Sequence, residues 1–265
     1  MGQAKVDYPT DTTFGKRIRE LEPEKKQVAK YVVDTFLTQG ASAFICDGSS
    51  TFYVGLEIFQ EAKRRHDSNE DTLDINIYTN NLAIAHEYAM WNSPQSKLPE
   101  VRVYSTGGEI SADLMMEYGD QAKDMAAESS ERGPYVVLAV RAIFAKQGPA
   151  GLRHDQDVII KQAVLQAGEG IVRGVIFVAD HKKLSQPYDQ GMQILFHNSA
   201  DWARLMDKTN TYIVSTRHPQ HHGEQISNPD NYKNPRTEKD YYLANCALLT
   251  QTMNKDFNDR RFILL

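Results

Sequence analysis

The chain has 265 residues and carries 30 Lys and Arg against 35 Asp and Glu, a net charge of −5 with a pI near 5.9. That balance excludes a dedicated nucleic-acid surface, which needs a concentrated basic face, and the sequence holds neither an apolar run of membrane-spanning length nor an apolar N-terminal signal region. With 41% apolar and 25% charged residues, and with Cys46 and Cys246 far apart, the composition fits a soluble globular protein of a reduced, cytoplasmic compartment.

In chain order, a polar lead-in reaches Pro23, which suits a first helical position. Val28, Tyr31, Val32 and Phe36 then share one helical face that Gly40 stops. Phe44-Ile-Cys-Asp-Gly-Ser-Ser-Thr51 runs from a short apolar strand into a hydroxyl-rich loop, and an amphipathic segment follows from Phe52 to Ala62. A second strand spans Ile75 to Tyr78, and Thr79-Asn80-Asn81 turns into a helix bearing Leu82, Ala85 and Ala89. Val101 to Tyr104 reads as a third strand, leading into Ser105-Thr-Gly-Gly-Glu109. Tyr135 to Val140 is a nearly continuous apolar strand of the buried parallel kind, and Ile159, Ile160, Ala163 and Val164 mark another helix. Gly174 to Ala179 and Thr211 to Val214 give two more strands.

From Arg217 to Arg236 the chain is rich in Pro, Asn and His and reads as an irregular arm, with a final helix from about Glu238. The closing Phe262-Ile-Leu-Leu265 is apolar enough to dock on a neighbour or on a partner chain. His218, His221 and His222 lack a second ligand cluster, and Pro219 breaks any helix there, so neither a metal nor a cofactor is expected. The implied organisation is an N-terminal segment over 1–24, an α/β domain over 25–216, and a loop-plus-helix arm over 217–265.

Alternating strand and helix patterns imply an α/β fold: a parallel-dominated, Rossmann-like sheet with helices on both faces. Ligands of such sheets sit beyond the strand carboxyl ends. The small and polar residues of this chain concentrate there, at Asp47 to Thr51, Thr79 to Asn81, Thr106 to Glu109, Arg141, and Asp180 to Lys183. In the first of these loops, free backbone N–H groups and the helix dipole make an anion cradle. Ser49, Ser50 and Thr51 supply hydroxyls, and Gly48 admits close backbone approach. The same residues also make an ordinary helix cap.

The expected ligand set is Gly48, Ser49, Ser50 and Thr51 with Gly107 and Gly108 at the phosphate, Asn80 and Asn81 at hydroxyl groups, and Asp47 and Thr79 as further ligand-binding residues of the same loops. Arg141, Lys161 and Lys183 would balance charge. Each cation also has a plain structural reading. Lys161 has Asp157 one helical turn back as a surface partner, Arg141 has Asp113, Glu109 or Asp155 as an acid to answer, and Lys182 and Lys183 open a solvated helix. Cys46 reads as a small buried apolar residue.

Taken in order, these loops resemble the C-terminal sensor domain of DeoR-type bacterial repressors, a sugar-phosphate-binding domain that shares a fold group with ribose-5-phosphate isomerase and the translation initiation factor 2B subunits. The resemblance rests on Gly48-Ser49-Ser50, Thr79-Asn80, Gly107-Gly108-Glu109, Gly151-Leu152 with Lys161, and Asp180-His181-Lys182-Lys183. It runs from about Lys25 to Ser215 and departs in two ways: the family's first Asp falls on Cys46, and residues 1–24 are too few for the family's winged helix-turn-helix. It implies a phosphorylated-sugar ligand, a sensor or regulator role without a DNA-binding module of its own, and a homo-oligomer whose C-terminal arm is free to contact a protein partner. The alternative is a sugar-phosphate isomerase, for which Asp47, Glu109 and Asp180 are the candidate bases.

Overall fold

The computed structural model describes residues 8–92, 100–152, 156–187, 192–196, 199–221, 226, 235, 237–254 and 261–265. Two helices, α1 (Thr13–Arg19) and α2 (Glu22–Phe36), lead into β1 (Ala41–Ile45), α3 (Ser49–Asp67), β2 (Ile75–Thr79), α4 (Leu82–Trp91) and β3 (Val101–Ser105). A hairpin follows, β4 (Glu109–Ser111) and β5 (Met116–Tyr118), then α5 (Asp120–Glu131), β6 (Tyr135–Ala139), β7 (Ala142–Phe144) and β8 (Gly148–Leu152). Next come α6 (Gln156–Ala167), β9 (Gly174–Ala179), α7 (Lys182–Ser185), β10 (Met192–Ile194), α8 (Ser199–Lys208) and β11 (Thr211–Ser215). The chain closes with α9 (Glu238–Met253) and β12 (Phe262–Leu264).

Seven strands form one sheet in the order β12-β11-β9-β6-β1-β2-β3, every pairing parallel. Helices flank it, α2 packing on α3 and α5 on α6. The central strands are apolar along their whole length because both faces are covered: all six residues of β9 are buried, as are Ala43, Phe44 and Ile45 of β1. The fold is therefore the parallel α/β sheet that the alternating pattern implies. α3 begins three residues before the expected apolar segment, because Gly48 serves as its N-cap.

The sheet order places β2 and β3 on one side of β1, and β6, β9, β11 and β12 on the other. The boundary between β1 and β6 is thus the topological switch point, where the loops leaving adjacent strands diverge and open a crevice.

Of the two dockings expected for the apolar C-terminus, the structure shows the one on a neighbouring element of the same chain: β12 lies parallel to β11, with Phe262 buried. Of the irregular arm, 222–225, 227–234 and 236 lie outside the described residues. At the other end, Tyr8, Phe14 and Phe52 stack edge to face with centroids 5.1–5.7 Å apart and fasten α1 onto α3. The Thr13 amide donates to Asp113 Oδ1 at 2.7 Å and fixes the start of α1. Among the described residues, no helix is long and apolar enough to cross a membrane.

Candidate functional site

The loop after β1 is shaped by one backbone conformation. Gly48 has φ 119° and ψ 156°, and a Cβ there would lie 2.8 Å from the Cβ of Ala139, so the loop closes directly against the end of β6. Phe52 N–H donates to the Gly48 carbonyl at 3.0 Å, the first intrahelical bond of α3, which leaves the N–H groups of Ser49, Ser50 and Thr51 with no acceptor inside the helix. Thr51 Oγ1 donates to the same carbonyl at 2.9 Å. Ser50 is buried, and its Oγ has no hydrogen-bond partner among the described residues.

Thr79, Asn80 and Asn81 sit behind this loop and hold it. Thr79 Oγ1 donates to the Ile45 carbonyl at 2.6 Å. Asn80 receives the Asp47 amide at 2.8 Å and donates back to Asp47 Oδ1 at 3.2 Å. Asn81 accepts from Ala83 N–H at 3.1 Å, capping α4, and donates to the Gly48 carbonyl at 3.1 Å. All three side chains are buried with their hydrogen bonds spent inside the protein, so in this structure they position the loop.

In front of the loop, at the switch point, lies a cavity of about 70 Å³ lined by Asp47, Gly48, Ser49, Ala139, Val140, Arg141, Gly151, Asp157, Lys161, Lys183 and Arg17. A second cavity of about 210 Å³ shares Arg17, Ser49, Arg141 and Lys183 with it and adds Glu20, Lys25, Asp180, Lys182 and Gln186. The structure thus brings Asp47, Gly48, Ser49, Arg141, Lys161 and Lys183 to one place.

Lys161 and Asp157, one turn apart on α6, form a buried ion pair facing this cavity, where the sequence suggested a surface pair. Asp157 and Asp47 line the same cavity. Burial and then the negative charge of Asp47 hold the Asp157 carboxyl well above the ordinary carboxylate range, against the pull of Lys161. Burial opposes charge on Lys161, but Asp157, Cys46 and Asp47 together keep its proton on more firmly than usual.

Lys183 donates to the Val140 carbonyl at 2.6 Å, and burial lowers its pKa, with Arg17, Lys161 and Arg141 adding repulsion and Asp180 opposing. Lys25 is buried on α2 and donates to the Arg17 carbonyl; burial, then repulsion from Lys183, brings it down to about 8. Cys46 is wholly buried, and burial pushes its thiol up.

Other expected residues lie elsewhere. Gly107 and Gly108 line neither cavity; the Gly107 amide donates to Glu117 Oε2 at 2.8 Å, and Glu117 also receives Ser105 and Thr106. Glu109 is exposed on the β4–β5 hairpin and lines neither cavity. Asp180 lines the second cavity but not the one holding Asp47. Of the acids suggested for Arg141, Asp113 is engaged by the start of α1 and Asp155 lies outside the described residues. Lys182 pairs with Glu20 at 3.0 Å on the surface. His218 packs on His181 and Tyr242, and His222 lies outside the described residues.

Sequence reasoning left out Arg17, Lys25 and Asp157 as site residues. Two of these carry a readable signal. Lys25 falls on the buried face of α2 with Val28, Ala29 and Val32, and Asp157 and Lys161 fall on the buried face of α6 with Val158, Val164 and Leu165. Charges on an apolar stripe must be partnered or used. Arg17 carries no such signal, since its place depends on the docking of α1.

A larger groove of about 480 Å³ lies along α2 and α3, lined by Lys26, Lys30, Tyr31, Asp34, Tyr53 and Leu265 among others. Its two lysines are already paired, Lys26 with Glu22 at 2.7 Å and Lys30 with Asp34 at 3.0 Å. It offers an anion far less than the switch-point cavity does.

No protein-family model matches this chain, and no curated protein matches it. Similar solved structures include ribose 5-phosphate isomerase from Plasmodium falciparum, at 12% identity and TM-score 0.35, covering 60% of this chain and 51% of that one. Also similar are two Chaetomium thermophilum proteins: eIF2B delta (11% identity, TM-score 0.36, 61% and 48% covered) and eIF2B beta (13%, 0.37, 62% and 40%). The chain spans about half the length of the first two of these structures, and likenesses this distant carry no argument about its function.

Proposed function

We propose that this chain binds a small phosphorylated sugar at the β1/β6 switch point, with the phosphate on the N-terminus of α3 and on Arg17, Arg141 and Lys183. One observation carries this reading: cations from α1, the loop after β6, α6 and the start of α7 converge with the Gly48–Ser49 helix start on one crevice. Four basic side chains there face two carboxyl groups, so basic groups outnumber acidic ones in the cavity although the chain as a whole is acidic. The order of the polar loops, similar to that of DeoR-type sensor domains, supports a sugar as the organic part and a ligand-sensing role. The second reading, turnover of the same ligand, is favoured by the Asp47–Asp157 pair.

Thermal shift with ribose 5-phosphate, fructose 6-phosphate and their unphosphorylated sugars tests this. A ligand at a hundred times its Kd stabilises the native state by about 2.7 kcal/mol, a shift of several degrees in a chain of this size. The phosphorylated sugars are expected to raise Tm and the plain sugars to leave it unchanged, with the rise lost in Lys183→Ala. Equal shifts from both sets, or none from any phosphorylated sugar, would contradict the reading.

A further inference from the structure

A cavity of about 70 Å³ has room for a phosphate group but not for the rest of a sugar phosphate. The adjoining cavity of about 210 Å³ shares Arg17, Ser49, Arg141 and Lys183 with it, so a ligand anchored in the first extends into the second. The wall it meets there is charged. Lys25, Lys182, Glu20 and Asp180 are added, and Gln186 is the one neutral residue among the additions. Five basic side chains stand against two acidic ones, and Glu20 is already paired with Lys182 at 3.0 Å. Asp180 is then the acid left facing Arg17, Lys25, Arg141 and Lys183. Lys25 and Lys183 donate to the main-chain carbonyls of Arg17 and Val140, which orient an ammonium without neutralising it. Among the described residues, neither Arg17 nor Arg141 forms an ion pair. Burial, then repulsion from Lys183, lowers the pKa of Lys25, with Arg17 adding to the repulsion and Asp180 and Glu20 opposing it. A neutral sugar body does nothing to offset this surplus of positive charge, whereas a second anionic group does.

We infer that the second cavity is a second anion subsite, so that the ligand of this site is a sugar phosphate carrying a further anionic group, either a second phosphate or a carboxylate. This rests on the binding reading above. The first phosphate takes the start of α3, and the second group reaches Lys25 on α2. Arg17, Arg141 and Lys183 line both cavities and stand between the two anions. The planar fork of an arginine suits a phosphate and a carboxylate equally, so the wall accepts either. Lys182 is half-exposed and held by Glu20 at the rim, which leaves Lys25 as the buried cation that belongs to the second cavity alone.

The test is calorimetry on the full chain at neutral pH, pairing fructose 1,6-bisphosphate with fructose 6-phosphate and 6-phosphogluconate with glucose 6-phosphate. At least one ligand with two anionic groups is expected to bind at least about 10-fold more tightly than its monophosphate counterpart, the gain from one further charge-assisted hydrogen bond. The pair that shows the larger gain tells whether the second group is a phosphate or a carboxylate. Lys25→Met keeps a side chain of similar length on the buried face of α2 and is expected to bring that ratio toward one. Ratios near one for both pairs in wild type, with the monophosphates bound, overturn this inference and leave the binding reading intact; binding of none of the four ligands overturns both. A ratio unchanged in Lys25→Met overturns the assignment to this cavity. Because the wild-type ratios are read without any variant, a variant that failed to fold would not shield the inference.

Discussion

Gly48 carries two constraints at once: a backbone conformation in the region open essentially to glycine, and a contact with Ala139 that leaves no room for a side chain. Gly48→Ala is expected to cost about 1–3 kcal/mol in urea unfolding and to remove sugar-phosphate binding, because the loop must withdraw from β6. Wild-type stability with wild-type affinity would contradict this. Lys25 makes a pH-dependent prediction. Its folded pKa of about 8 lies below the usual lysine value of about 10.4, so the folded state gives up this proton before the unfolded state does. Burying the charge is therefore a cost fully present below pH 8 and relieved as pH rises toward 10.4. Measured against Lys25→Met, wild type should gain stability over that window. A constant difference between the two from pH 7 to pH 10.4 would contradict the assignment.

At the scale of elements, the polar residues at strand ends were readable because a parallel sheet must expose its carboxyl-end loops, but their division of labour was not. Thr79, Asn80 and Asn81 carry the side chains expected of a ligand-reading turn and instead spend their hydrogen bonds on the neighbouring loop. Only the spacing of β1 and β2 in the folded sheet decides that. Asn81→Ala removes both the cap of α4 and the bond to the Gly48 carbonyl, and is expected to cost about 1 kcal/mol from the cap alone. It should also weaken sugar-phosphate affinity without touching the ligand. If Asn81 reads a hydroxyl group directly, the variant would lose affinity and keep its stability. The turn at Gly107-Gly108 was misleading for a related reason. Its glycines meet the needs of a hairpin entry, with φ 69° and 105°, and its polar atoms gather on Glu117.

At the scale of the molecule, strand alternation gave the parallel sheet and its flanking helices, since buried strands and amphipathic helices write different periods into the chain. What could not be read was the strand order, and with it the location of the switch point between β1 and β6. That order decides which strand-end loops share a cavity, placing Asp47 with Arg141 and Lys183. Arg17 reaches the crevice from α1, a helix outside the alternating pattern, through the docking of that helix. The central claim is that this crevice holds the phosphate of a sugar. The most direct measurement is a crystal structure of the chain with ribose 5-phosphate. The account predicts phosphate density within hydrogen-bonding distance of the Ser49 amide and Lys183, and density elsewhere, as in the α2–α3 groove beside Lys26 and Lys30, would contradict it.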